Sequence, residues 1–271
     1  MSEWGGEQRE QKLSKAEKRR LRKSRKGEER SLEPPALPPP AESKARRVLY
    51  VGCEGETTEP DYLNYLNDRF GDAVKQPFRI QPVYTDNGLI PSRAVAAVRK
   101  YAPDDETWVL FDRDKHHDIP QALREAAEDG TEVCFSHPSF DLWLLLHFTA
   151  FGGSQSGDSG HVTNKLRQAD PAYRRFARPS KNVQGDRRTA LDDKECAAIT
   201  HARSLVNQCE YGDCKADRRK VRESRDKPPF RSTDDWSARS GHSAHCQALN
   251  RDPSTDVWRL LVSLGIGKPH H

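Results

Sequence analysis

Between Arg47 and Phe148 the chain alternates, four times over, a short apolar run with a longer stretch whose apolar residues recur at helical spacing. No other feature limits the possible folds so tightly. Val48–Cys53, Phe78–Tyr84, Thr107–Phe111 and Thr131–Phe135 are β-branched or aromatic runs of strand length. Between and after them, Tyr62, Leu63, Tyr65, Leu66 and Phe70 fall on one helical face, and Ala94, Val95, Ala97, Val98 and Tyr101 on another. Pro60, Pro91 and Pro120 stand where a first helical turn accepts proline, and Gly130 stands where a helix ends. Pro138–Phe148 predicts a helix apolar on more than one side. Strands alternating with helices imply right-handed βαβ units, hence an α/β fold with a doubly wound, mostly parallel sheet over residues 47–150.

The flanks have a different texture. Residues 1–46 carry 13 Lys/Arg against 8 Asp/Glu, whereas the whole chain is only +4. Lys12, Lys15, Lys18, Arg19, Arg20, Arg22, Lys23, Arg25 and Lys26 lie in one run without an apolar face, so a disordered tail is expected, able to grip nucleic-acid phosphate. A solubilising tail is the bland alternative. Pro34, Pro35 and Pro38–Pro40 make a stiff linker. Residues 151–271 are expected to be a helical and irregular extension, with one helix near Asp192–Cys209, little order over 211–250, and a final helix from Pro253 that packs back on the sheet. With 34% hydrophobic and 32% charged residues, a good part of the chain is expected to lie outside any core. No apolar run is long enough to span a bilayer and the N-terminus lacks a signal-peptide stretch, so a cytoplasmic protein is expected, without a membrane partner.

Open α/β sheets place their sites beyond the carboxyl ends of the strands. Strand one runs into Glu54-Gly55-Glu56, with Glu59 close behind, and strand three runs into Asp112-Arg113-Asp114. Were these strands neighbours, the acids would meet and repel unless a cation neutralised them. Oxygen donors suit a hard divalent ion, Mg2+ or Mn2+. There is no Gly-x-Gly-x-x-Gly after strand one and no glycine loop ending in Lys-Ser/Thr, which argues against a dinucleotide enzyme or a P-loop ATPase. Metal-assisted phosphodiester hydrolysis is the natural chemistry. The structural alternative makes these acids helix caps and solvated turns, Glu59 before Pro60 above all.

Other residues invite a bland and a sharp reading. His147 is expected to be a buried, hydrogen-bonded histidine before a general acid, and His116 and His117 exposed loop residues before edges of the site. Arg113 is a candidate phosphate contact. Cys53 and Cys134 sit in strand runs and are expected to be core thiols. Cys209, Cys214, His242, His245 and Cys246 are zinc-ligand types at uncommon spacing, and free thiols in a flexible region are the default expectation.

Three ordered motifs resemble the RloB-like abortive-infection proteins, a bacterial phage-defence family. They are Val51-Gly52-Cys53-Glu54-Gly55-Glu56-Thr57-Thr58-Glu59-Pro60-Asp61-Tyr62, then Trp108–Asp114, then Ser136–Phe148, with Pro253-Ser254-Thr255 before the last apolar helix. The resemblance implies a Toprim-like core in which Glu54, Asp112 and Asp114 bind magnesium, Glu59 serves a second ion, and Asp141 stands where the family carries Glu. His137 stands where Asn is usual. It implies a metal-dependent nuclease, acting on DNA or RNA in abortive infection, with Glu54, Glu59, Asp112, Asp114 and Asp141 catalytic. A separately encoded ATPase partner and a homo-oligomer are compatible with it. The competing class is a non-catalytic module that binds nucleic acid or a partner. A small-substrate phosphatase would leave the basic tail without a role, and the length leaves no room for the further domains of a topoisomerase or primase.

Overall fold

The structure, a computed structural model, describes residues 46–73, 76–113, 116–153, 157–177, 179–216 and 232–267. Asp114 and the basic run Lys12–Lys26 lie outside the described residues.

The four apolar runs form parallel strands β1 (Arg47–Cys53), β2 (Phe78–Val83), β3 (Glu106–Asp112) and β4 (Glu132–His137). A two-residue fifth strand, β5 (Ser254–Thr255), adds to β4 in antiparallel sense, and the sheet order is β2-β1-β3-β4-β5. From β1 the chain moves one way to β2, then returns past β1 to β3. The reversal lies between β1 and β3, which are directly paired, with Cys53 opposite Leu110. A parallel sheet of this order opens its crevice there.

Alternate residues of each strand face opposite layers. Leu49, Val51, Cys53, Trp108, Leu110 and Cys134 face one core, and Val109, Phe111, Val133 and Phe135 the other. Cys53 and Cys134 are core thiols, both fully buried. The first layer holds α1 (Thr58–Phe70), α4 (Asp141–Leu146), α7 (Glu195–Asn207) and α9 (Val257–Ser263), whose buried side chains share one cluster with β1. The second holds α2 (Pro91–Tyr101) and α3 (Ile119–Asp129). Gly130, at φ 69°, ends α3 by donating its N–H back to the last turn. Gly52 permits close approach of α2, because a methyl there would meet the Ala94 carbonyl oxygen at 2.9 Å.

The C-terminal region departs from expectation in three ways. The final helix starts at Val257, not Pro253, because Ser254 and Thr255 pair with the free edge of β4, Ser136 Oγ and Thr255 Oγ1 lying 2.9 Å apart. α9 does return to the sheet, burying Trp258, Leu260 and Leu261, each worth roughly 1.5–3 kcal/mol. The apolar run 138–148 yields a shorter helix than its composition predicts. Its first residues form the turn that brings the Phe140 N–H to the Asp112 carboxylate. Finally, 211–216 and 232–250 are packed, with Cys214, Trp236, His242 and Cys246 buried. Helices α5 (Ser159–Ala169), α6 (Asp186–Thr189) and α8 (Thr233–Arg239) have too few apolar repeats to show in the sequence. Asp158 and Ser232 cap two of them, accepting from His161 N and Asp235 N. Among the described residues, no helix is long and apolar enough to cross a membrane.

Candidate active site

Glu54 follows β1 and Asp112 ends β3, so pairing of these strands puts both acids at one crevice. Glu54 N extends the ladder to the Leu110 carbonyl at 3.2 Å. The Glu54 side chain turns across to β3, where its Oε2 accepts from Asp112 N at 2.9 Å and its Oε1 lies 2.8 Å from His116 Nε2. His116 is therefore a partner of Glu54 and not the exposed loop residue expected, whereas His117 is exposed.

Glu59 enters from the first turn of α1 and is 7% exposed. Gly55 makes its seat: a Cβ on Gly55 would fall 2.2 Å from Glu59 Oε2. Asp141, 3% exposed, enters from the start of α4. The four acids act on one another. Burial raises Glu59 from 4.5 to about 7, with Glu54 and Asp141 pushing the same way and Lys181 opposing. Burial also holds Asp112 well above the ordinary carboxylate range, reinforced by Glu54, Glu59 and Asp141 and opposed by the Phe140 N–H. An all-oxygen set whose members resist joint ionisation matches a hard divalent cation and mismatches a soft one.

Lys181 is the participant that sequence reasoning missed. Its Nζ lies 2.7 Å from Asp141 Oδ2, which also accepts from Thr163 Oγ1. The opening motif holds this lysine in place. Thr58 Oγ1 donates to the Lys181 carbonyl at 2.7 Å, and Asp61 accepts from Val183 N and Gln184 Nε2, each at 2.9 Å. Arg187 fixes the same turn from below through the carbonyls of Ser180 and Asn182. Thr58 and Asp61 thus have a structural task inside a motif whose glutamates have a chemical one. Nothing around Ser180-Lys181-Asn182 marks it in the sequence, because the signal is a distant contact.

The other candidates separate. His147 is buried on the apolar side, Nδ1 2.9 Å from the Trp143 carbonyl and Nε2 3.4 Å from Tyr62 Oη, and burial lowers it to about 4, leaving a neutral core histidine. Arg113 donates to the His116 carbonyl at 2.9 Å and, with His137, lines one end of an open cleft of about 700 Å³. Arg251, Cys209 and His242 line the cleft further from β3. His137 is buried, its Nδ1 has no hydrogen-bond partner among the described residues, and burial with Arg113, opposed by Asp252, lowers its basicity.

A comparison with curated proteins and one with solved structures gave no match. A profile of the RloB-like proteins matches residues 49–264, from the second residue before Val51 to the end of α9, and so takes in β1–β5, the acidic crevice and the Lys181 turn. The chain belongs to the RloB-like protein family.

Proposed function

We propose that this protein is a metal-dependent nuclease with a Toprim-type core, hydrolysing phosphodiesters of DNA or RNA, and that it serves antiphage abortive infection. One observation carries the reading: Glu54, Glu59, Asp112 and Asp141 converge at the carboxyl ends of the paired strands β1 and β3, where burial and the neighbouring carboxylates raise Glu59 and Asp112. Glu54, Glu59 and Asp112, with Asp114, are the residues that would hold Mg2+ or Mn2+. Bound there, the ion would polarise a phosphodiester and make water a better nucleophile.

The chain's own residues have separate tasks in this reading. The Asp112 N–H and His116 fix the Glu54 carboxylate, so it does not reorganise when the site fills. Gly55 admits the Glu59 carboxylate to the crevice. Lys181 neutralises Asp141 and offers ammonium protons to a phosphate oxygen arriving beside the acids. Arg113 lines the adjoining cleft, where its guanidinium can meet a phosphate of a nucleic-acid backbone. The basic run Lys12–Lys26 adds sequence-independent, salt-sensitive affinity. A separately encoded ATPase is a suitable partner for a chain without a nucleotide-binding loop of its own.

The test is incubation of the protein with plasmid DNA and with tRNA, in Mg2+, in Mn2+ and in EDTA, beside Asp112→Asn. Metal-dependent cleavage that the variant loses while keeping its Tm supports the nuclease. Calorimetric binding of Mg2+ without cleavage of either substrate would favour a non-catalytic binding module.

A further inference from the structure

Outside the carboxylate crevice, three cysteines and a histidine meet. Cys209 lies just past the end of α7, Cys214 in the turn that follows, and His242 and Cys246 in the turn after α8. One ligand atom from each lies within 4.8 Å of all the others. Cys209 Sγ and Cys246 Sγ are 3.5 Å apart, and Cys246 Sγ and His242 Nδ1 are also 3.5 Å apart. A disulfide needs sulfurs at ~2.05 Å. Ligands on a tetrahedral zinc, with Zn–S of ~2.3 Å and Zn–N of ~2.0–2.1 Å, stand roughly 3.5–3.8 Å from one another. Two of the six separations are those of ligands on a shared tetrahedral ion, and none of the rest exceeds 4.8 Å.

The surroundings are built to bring these four side chains together. Gly212, at φ 92°, turns the chain between the first two cysteines, and a Cβ there would strike Ser243 Oγ at 2.4 Å. Gly241, at φ 83°, lies so close to the Lys215–Ala216 backbone that a Cβ would sit 2.7 Å from it, and its carbonyl accepts from Lys215 N at 2.7 Å. Ser243 N points at Cys214 Sγ at 3.4 Å, and Ser243 Oγ donates to the Tyr211 carbonyl at 3.2 Å. A backbone N–H aimed at a sulfur favours thiolate. His242 is 3% exposed, and its Nε2 has no hydrogen-bond partner among the described residues. Two turns, each with a positive-φ glycine, supply two ligands apiece (Cys-x4-Cys and His-x3-Cys). His245, in the same stretch, is exposed and takes no part.

We propose that Cys209, Cys214, His242 and Cys246 bind one structural zinc ion. Thiolate and imidazole donors select zinc over the hard cations suited to the carboxylate crevice. Four protein ligands close the coordination shell, so the ion has no open position for catalysis. Its work is mechanical. It ties the end of α7 to the segment leading into Arg251 and β5, and Arg251 itself donates to the Cys246 carbonyl at 2.8 Å and to Ser237 Oγ at 2.6 Å. Cys209, His242 and Arg251 line the same cleft as Arg113 and His137, so the zinc fixes part of its lining.

The test is elemental analysis of the full chain, purified without chelator, for zinc and the other first-row metals. Cys246→Ser and Cys214→Ser are compared with Cys196→Ser, whose cysteine is exposed and outside the cluster. Stoichiometric zinc in the wild type and Cys196→Ser, lost from the other two variants, is the expected result. If those variants fail to fold, exchange of the wild-type ion for Co2+ decides. Intense visible d–d bands and a thiolate charge-transfer band support a tetrahedral sulfur site, and a weak octahedral spectrum overturns it. Protein that carries no zinc, or whose intact mass shows a reducible Cys209–Cys246 disulfide, also overturns the proposal.

Discussion

Lys181 Nζ stands 2.7 Å from Asp141 Oδ2, and the two residues are 40 positions apart in the chain. The pair links the apolar helix of the third motif to a turn with no motif of its own, and it places a cation among carboxylates that otherwise repel. Lys181→Ala removes that cation and a donor for the substrate phosphate. Cleavage should fall about a hundredfold in kcat. The Mg2+ concentration needed for half-maximal rate should also change. A Lys181→Ala enzyme as active as wild type would rule out a part for this lysine.

Gly55→Ala tests the seat of Glu59. The added methyl competes for the place of Glu59 Oε2, so the carboxylate must leave the crevice. Metal affinity should weaken by about tenfold, the scale of a disturbed ligand environment. Thermal stability should barely change, because the displaced group is a side-chain end. Calorimetric titration with Mn2+ beside a melting curve separates the two. Unaltered affinity would mean that Glu59 is not a ligand.

The proton load of the crevice gives a pH dependence with a definite sign. Folding raises Glu59 from 4.5 to about 7. A carboxyl raised in this way costs nothing below its unfolded value; the destabilisation grows as pH climbs from about 4.5 and levels off above 7. At about pH 8 the metal-free protein should be less stable than Glu59→Gln by on the order of 3 kcal/mol, or roughly 5–10 °C in Tm, with the gap closing near pH 4–5. Mg2+ should narrow the gap at high pH, releasing protons as it binds, and bind more weakly below neutrality. Melting curves for both proteins across this range, with and without Mg2+, check the sign.

Much of this was legible before any coordinates. The αβ alternation, the parallel sheet and the meeting of Glu54 with Asp112 follow from periodicity and from acids at strand ends, both local signals. The four soft ligands could be named as zinc-ligand types but not seen to converge, and Lys181 and Thr163 were out of reach altogether, for one physical reason. Each acts through a partner tens of residues away, in a region whose helices are too short and too polar to show a period. His116 was misjudged because a histidine in a charged loop looks solvated until the opposing carboxylate is placed. Ser254-Thr255 looked like the start of a helix because the unpaired edge of β4 cannot be seen from composition.

Glu132 gives a stability prediction independent of the site. It is held by Arg239 and by Arg259 Nη2, the latter at 2.6 Å, and Arg259 is 2% exposed. Glu132→Ala takes the bonded carboxylate from a buried guanidinium, which keeps its bond to the Val133 carbonyl and the nearby Asp256 charge, and should cost about 3–5 kcal/mol in urea unfolding. A loss below about 1 kcal/mol would show that water compensates.

The same cluster has a consequence for how the chain is made. Glu132 leaves the ribosome 107 residues ahead of one arginine partner and 127 ahead of the other. At ~5–20 residues per second, this interval lasts several seconds or more. Throughout it, β4 has an open edge and an unanswered buried charge, and the lysine that neutralises Asp141 is itself still being added. The carboxylates of the crevice are synthesised first and made compatible with one another last. Any fragment ending near residue 150 inherits the defects of the half-made protein.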